Sequence, residues 1–384
     1  MTEDPQFDPK PLDADILCVG FGPATGGFLT TLTRALAEGN IESQAFAVKI
    51  WERRGLRNIR ARAIRESFPE FNPADVPMAT PVRNEKLVYL LDPHGATRRP
   101  LWMQAADWSL RAFSALTKTT HHAWEVPFIP DFLHKRDGYV MALGQFNQWV
   151  GQQVMMTGQA QIWPSTPGAE PLVEDGKVAG VILAGEGAEI RAPLTVVADG
   201  PVGAVSRRLD DLFGLPEGHE RDEWALGMKF VIELPEGADL EPGTVFHTIG
   251  YPEPEIFGFF YVHPDRVVSA GIFVPSWMQS PVRTGYRYLQ HFIQHPYFWR
   301  YLKGGKLRSW GAKSLLESGK HGEPHLAGDG YARIGENSGS TNVLTGSGVD
   351  EAWLTGVQLA EAVLELMRDG KPYTKENLEA AYVA

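Results

Sequence analysis

Ile16-Leu17-Cys18-Val19-Gly20-Phe21-Gly22-Pro23-Ala24-Thr25-Gly26-Gly27-Phe28-Leu29 runs from a short apolar stretch through a glycine-rich turn into a helix-forming segment. That order of elements suits a dinucleotide. Gly20 permits the tight turn, Gly22 lets the backbone approach a pyrophosphate, and the first amides of the helix that opens at about Pro23, from Ala24 onward, face the anion. Proline fits the first helical turn, where a missing N–H costs nothing. An acidic residue should end the following strand, and Ala47-Val48-Lys49-Ile50-Trp51-Glu52 supplies it, with Glu52 accepting from the ribose hydroxyls. Arg53 follows, within a stretch that also holds Arg54, Arg57, Arg60, Arg62 and Arg65. These arginines either neutralise cofactor phosphates or form a solvated basic surface. At the third fingerprint position stands Thr25, with glycine delayed to Gly26, so looser packing of helix on strand is expected.

Two further segments, distant in sequence, fit the same ligand. A continuous apolar run, Pro193–Ala198, reads as a buried parallel strand and ends in Asp199-Gly200. Later, Ile334-Gly335-Glu336 leads into a Gly/Ser/Thr loop containing Gly346-Ser347-Gly348, and a helix over 350–369. A nicotinamide cofactor needs only the first segment. FAD, extended across its domain, uses all three. Glu336 is placed for the ribityl chain, and the last helix directs its N-terminal partial positive charge at the flavin ring. The expected fold is therefore α/β. It has a glutathione-reductase-type FAD-binding domain, with a Rossmann-like βαβ unit, over 13–85, 136–223 and 325–384. A polar tail (1–12) precedes it. An antiparallel substrate domain (224–324) is inserted, with strands over 226–233, 245–248, 257–262 and 267–273. No second glycine fingerprint signals a built-in NAD(P)H domain.

Composition narrows the function. The formal net charge of -11 opposes a nucleic-acid partner. The single cysteine, Cys18, cannot supply the roughly four thiolates of an iron–sulfur cluster. The polar N-terminus lacks a signal-peptide core, and no apolar run reaches the ~20 residues of a membrane span, which predicts a cytoplasmic protein. The eleven histidines show no metal spacing, and there is no nucleophile elbow or acid–base dyad, so the chemistry is assigned to the flavin. Residues 84–135 read as irregular and aromatic, with Trp102, Trp108, Phe113, Trp124, Phe128 and Phe132 and a helix over 105–117. A strand is expected over 138–143, a helix over 144–158, hairpin strands near 160–163 and 178–183, and a helix over 204–213.

Across most of 13–366 the chain resembles the electron-transfer flavoprotein:quinone oxidoreductases and their nitrogen-fixation-linked flavoprotein relatives. The likeness is carried by Glu66-Ser67-Phe68-Pro69-Glu70-Phe71, Ala198-Asp199-Gly200, Trp224-Ala225-Leu226-Gly227-Met228-Lys229, Pro242-Gly243-Thr244-Val245-Phe246-His247, Leu302-Lys303-Gly304-Gly305-Lys306, Trp310-Gly311-Ala312-Lys313 and Asn342-Val343. It implies an FAD enzyme passing electrons from an electron-transfer flavoprotein to a quinone, peripheral on the cytoplasmic face of a membrane. In it, Phe257, Gly258, Phe259 and Tyr261 approach the quinone, and residues 86–135 touch the membrane or a partner. Three departures stand out: Ala142 replaces an arginine, Glu336 an aspartate or small residue, and Phe257 a tyrosine. The iron–sulfur domain of the long family members has no counterpart here, which leaves either truncation or a separate ferredoxin-like subunit. The alternative function is a flavin-dependent reductase or monooxygenase for an apolar lipid or aromatic substrate.

Overall fold

The computed structural model describes residues 12–38, 75–77, 79–95, 97–135, 138–185, 187–278, 283–342, 346 and 348–383. Glu52, Arg53, the arginine stretch, Glu66–Phe71, Val343 and Ser347 lie outside them.

Three parallel strands carry the N-terminal fingerprint: β2 (Ile16–Val19), β10 (Leu194–Val197) and β17 (Tyr331–Arg333), with β16 (Ala327–Gly328) antiparallel at the edge. All of β10 is buried, as a central parallel strand should be. Its side chains alternate between two cores. Leu194 and Val196 join Phe28 of α1 (Pro23–Glu38) and Leu359 and Val363 of α8 (Val349–Arg368). Val197 joins Val19 on the other side, against Val178, Val181, Val205 and Leu209. That second layer comprises α5 (Ala204–Phe213) and a sheet of β1 (Leu12–Asp13), β9 (Glu189–Arg191), β8 (Lys177–Leu183) and β7 (Gly168–Glu174).

The hairpin arm expected at 160–163 is instead β7, paired to β8 through Asp175-Gly176. Both turn residues have positive φ (49° and 78°), as Asp-Gly hairpin turns require. The strand expected at 138–143 shrinks to β6 (Tyr139–Val140), paired with β3 (Thr80–Pro81). Leu143 already begins α4 (Leu143–Met156).

Helices α1 and α8 touch backbone to backbone. A Cβ on Gly27 would lie 2.3 Å from the Trp353 carbonyl oxygen, and one on Gly356 would lie 1.9 Å from that of Ala24. Trp353, fully buried, meets Phe146 of α4 at 5.7 Å and Val150 beside it. The looser packing expected from Thr25 does not occur. Thr25 is buried and its hydroxyl donates to the Gly20 carbonyl at 2.8 Å, while glycines one and two positions later serve the helix contact.

A seven-stranded sheet forms the second half, in the order β15 (Lys306–Leu316), β11 (Trp224–Glu233), β14 (Val267–Pro275), β13 (Phe257–Val262), β12 (Thr244–Ile249), β4 (Asn84–Leu90) and β5 (Ala123–Val126). It is antiparallel apart from the parallel β12–β4 pair. Residues 84–135 are thus not irregular: they add two strands, α2 (Leu101–Ala112) and α3 (Ser114–Thr117). One sheet face buries Phe230, Phe246, Phe260 and Ile272 against Leu289 and Phe292 of α6 (Gly285–Ile293) and Phe298 of α7 (Pro296–Leu302). Phe260 stacks on Phe298 at 4.8 Å.

The helix contact generates a stability test. Gly356→Val forces atoms into a backbone carbonyl and is expected to cost at least about 1–3 kcal/mol. Gly144→Ala, in a position open to 4 Å, should be neutral or slightly stabilising. Urea midpoints measure both, and equal effects would contradict the close crossing.

Candidate functional site

The three separated segments meet at the C-terminal ends of β2, β10 and β17. Gly20, at φ +91°, turns directly over β10, where an added Cβ would lie 2.5 Å from the Ala198 oxygen. Gly335 (φ +73°) approaches α1, and its Cβ would lie 2.9 Å from that of Ala24. The Asn337 amide fixes the third segment by donating to the carbonyls of Val197 (2.8 Å) and Ile334 (3.0 Å). The Gly335 N–H donates to Thr355 Oγ1 at 2.8 Å, tying it to α8.

Within this convergence Gly22 behaves unlike Gly20. No atom lies within 4 Å of its would-be Cβ, and its φ is not in the left-handed region. The protein itself has no packing need for glycine there, so the open space is available to a ligand. At the ends of the other two strands stand buried acceptors without partners. Glu336 Oε1 has none, although its Oε2 takes a 2.6 Å bond from Lys313 Nζ, and Asp199 Oδ1 has none, although Oδ2 accepts from the Ser206 N–H at 3.0 Å. Burial raises the Asp199 carboxyl above its usual range, even though Ser206 and the charge of Arg333 pull it down. Helix α8 begins at Gly348 without a side-chain cap, leaving its first amides free of one. An anionic, hydroxyl-rich ligand such as FAD fits this set of donors and acceptors. Gly200 (φ +80°) and Gly346 (φ +61°) are open positions in the two flanking turns.

Two of the glycines expected at ligand sites serve packing. Gly26 faces Trp353 and Val150, and Gly258 faces Thr248 and Phe292 on the helix-covered side of the sheet. The open sheet face instead carries Phe257, Phe259 and Tyr261, with Phe273, Lys229 and His247 on neighbouring strands in register. Phe259 lies 4.8 Å from Tyr261 and 5.6 Å from Phe273, and Phe257 is 61% exposed. Lys313, on the same face, makes the contact to Glu336 that joins this surface to the glycine turns.

Residues outside every sequence motif brace the site. Arg333 is 1% exposed and pairs with Asp210 at 2.7 Å; Arg221 holds the other Asp210 oxygen at 2.9 Å and donates to the Asn337 carbonyl. No local pattern announces these partners, which lie 11 to over 100 residues apart. Cys18 is a core thiol, pushed up to about 12 by burial. Among the described residues no His/Cys/Asp/Glu group is placed to hold a metal, and no helix is long and apolar enough to cross a membrane.

Trp102, Trp108, Phe113, Leu116 and Phe128 make up a set of exposed apolar side chains from one stretch of sequence, each more than half exposed. Trp124 does not belong to it. It packs beside Tyr89, Leu91 and Met103, because β5 turns it onto the sheet.

Residues 224–315 match the family model described as ETF-QO, ubiquinone-binding. The chain is 24% identical to the electron transfer flavoprotein-ubiquinone oxidoreductase of Pseudomonas aeruginosa, over 94% of this chain and 65% of that one. To the mitochondrial enzyme of Mus musculus it is 26% identical, over 96% and 58%. It spans less than two thirds of the length of these relatives. Among solved structures, a geranylgeranyl bacteriochlorophyll reductase-like protein of Thermoplasma acidophilum is similar (TM-score 0.65, 16% identity, 97% of this chain and 83% of that one). So is a myxobacterial chondrochloren halogenase described as a variant of FAD-dependent halogenases (TM-score 0.56, 13% identity, 96% and 78%). These two show a shared mixed α/β fold.

The buried charge cluster yields a clear expectation. Asp210→Asn strands the Arg333 charge and should cost about 3–5 kcal/mol in urea unfolding. Glu241→Gln, which loses only the exposed Arg83 pair, should cost under about 1 kcal/mol. Similar losses in the two variants would refute the ranking.

Proposed function

We propose that this chain, like the electron transfer flavoprotein-ubiquinone oxidoreductases to which it is similar, is an FAD-dependent oxidoreductase passing electrons from an electron-transfer flavoprotein to a quinone. The observation that carries the reading is the Lys313–Glu336 contact, which joins the glycine-lined ligand seat to the open face of the sheet that matches the ubiquinone-binding model. The arrangement of β2, β10 and β17 supports a glutathione-reductase-type flavin domain.

Bound FAD supplies the redox-active ring; the chain's own residues hold and shield it. Gly20, Gly22 and Ala24 bind the pyrophosphate with backbone amides, and Pro23, which has no N–H to offer, sets the first turn of the helix beside it. Glu52 and Arg53 hold the adenosine end. Glu336, through its partnerless oxygen, accepts a hydroxyl of the ribityl chain, and Gly335, Asp199 and Gly200 shape the wall. The segment Gly346–Gly348 and the uncapped start of α8 favour negative charge near the ring. Phe257, Phe259 and Tyr261 present flat apolar surface to a quinone ring and exclude water. The aromatic patch docks on the cytoplasmic face of a membrane, where indole rings favour the interface. A separately encoded ferredoxin-like subunit could complete the electron path.

Anaerobic mixing of the flavin-loaded chain with reduced electron-transfer flavoprotein, then with a soluble quinone, tests the reading. Rapid flavin reduction by NAD(P)H, with none by the flavoprotein donor, would instead support the reductase or monooxygenase alternative. Two variants refine the test. Gly22→Leu fills the open space and should abolish bound flavin absorbance after desalting, while leaving the melting temperature of the flavin-free chain unchanged; retained flavin would remove Gly22 from the seat. Trp108→Ser combined with Phe128→Ser removes two exposed aromatics worth about 1.5–3 kcal/mol each when buried. Liposome binding should fall by at least about tenfold with unaltered flavin content, and unchanged binding would place the membrane contact elsewhere.

A further inference from the structure

A second titratable cluster lies on the open sheet face, apart from the glycine seat. Glu85 of β4 is 4% exposed in its side chain and stands between two imidazoles. His247 Nε2 of β12 lies 2.7 Å from its Oε1, and His134 Nδ1, from the loop after β5, lies 2.6 Å from its Oε2. The Lys135 N–H donates to both carboxylate oxygens at 3.0 and 2.9 Å. Burial pushes the Glu85 carboxyl up, but the hydrogen bonds from His247 and Lys135 and the charges of both imidazoles outweigh it, so the group titrates below its usual range. The two ends of this chain of groups differ. His134 is 35% exposed, whereas His247 is 12% exposed and sits directly opposite Phe259 in the β12–β13 register. Among the described residues, the charged and titratable groups facing this cluster are His134 and Lys135 in the loop, His247 on β12, Tyr261 on β13 and Lys229 on β11.

We propose that His134, Glu85 and His247 form a proton relay from solvent to a quinone reduced against the Phe257–Tyr261 face. The inference rests on the quinone reading above. One-electron donors deliver no protons, so two of them, one quinone and two protons from solvent give one quinol. Each proton enters at His134 and passes from its Nδ1 to Glu85 Oε2. After the carboxyl turns about its Cγ–Cδ bond, the same O–H gives the proton to His247 Nε2. His247 accepts at Nε2 in its Nδ1–H tautomer, the resulting imidazolium gives its Nδ1 proton to a quinone carbonyl oxygen as the quinone takes its electrons, and the ring returns to the Nδ1–H tautomer before the second proton arrives. The His247 link is a hydrogen bond and the His134 link an ion-pair contact whose hydrogen-bond alignment must form as the proton passes; both lie within the heavy-atom range for proton transfer. A loop staple needs only one of these contacts; the second imidazole, directed to the aromatic face, is what a relay adds.

The test compares two acceptors on the flavin-loaded chain: a soluble ubiquinone analogue, which takes protons, and ferricenium, which takes only electrons. Glu85→Gln and His134→Ala are expected to slow quinone reduction by about 10²-fold or more and to leave ferricenium reduction at the wild-type rate. Free imidazole in the buffer should restore quinone reduction in His134→Ala. Wild-type quinone activity that both variants retain, or that falls in step with ferricenium reduction and resists imidazole, overturns the relay and leaves the quinone reading standing. A wild type that reduces ferricenium but no quinone overturns both.

Discussion

Everything at the ligand seat depends on one close approach, the passage of the first turn over the end of the central strand. Gly20 clears the Ala198 carbonyl only because it has no Cβ. That clearance brings the turn after β2 beside the turn after β10, and Asn337 then draws the turn after β17 to the same edge. A side chain at position 20 would separate the first two segments, and the amides of α1 would no longer face the space beside Gly22. The tight crossing of α1 and α8 is the second half of the same constraint. It brings the start of the last helix near the start of the first, beside the glycine turns.

Electrostatics holds the seat from beneath. The Arg333–Asp210–Arg221 cluster is too buried to be a surface ornament and costs desolvation energy, which is recovered only while all partners are present. Its geometric product is rigidity: Arg221 binds the Asn337 carbonyl, and Asn337 in turn fixes the strand ends. By contrast the Lys313–Glu336 pair, with Lys313 mostly exposed, contributes little stability. It marks where the seat and the aromatic sheet face adjoin.

Local signals in the sequence place elements well where the physics is local. The glycine turn, the apolar run at 194–197, the helix Ala204–Phe213 and the strand Phe257–Val262 all stand at or within a residue or two of their expected bounds. Errors came from partners distant in sequence. Nothing near Asn84–Leu90 signals that it pairs in parallel with Thr244–Ile249, and so residues 84–135 read as irregular. Gly26 and Gly258 resemble ligand glycines in sequence, but their neighbours are Trp353 and Phe292. Trp124 could not be told from its exposed neighbours without knowing that β5 joins the sheet. The Arg333 cluster and the His134–Glu85–His247 cluster have no motif at all, since each is assembled from separate elements. The strand expected at 160–163 lies instead at Gly168–Glu174, where Asp175-Gly176 marks the hairpin.

The central claim is that the ligand seat and the open sheet face form one electron path, ending at Phe257, Phe259 and Tyr261. Photolabelling of the FAD-loaded chain with an azidoquinone, followed by peptide mass spectrometry, tests it most directly. The account predicts label on the peptide carrying 257–261, reduced by excess unlabelled quinone. Label confined to the helix-covered side, on α6 or α7, would contradict it.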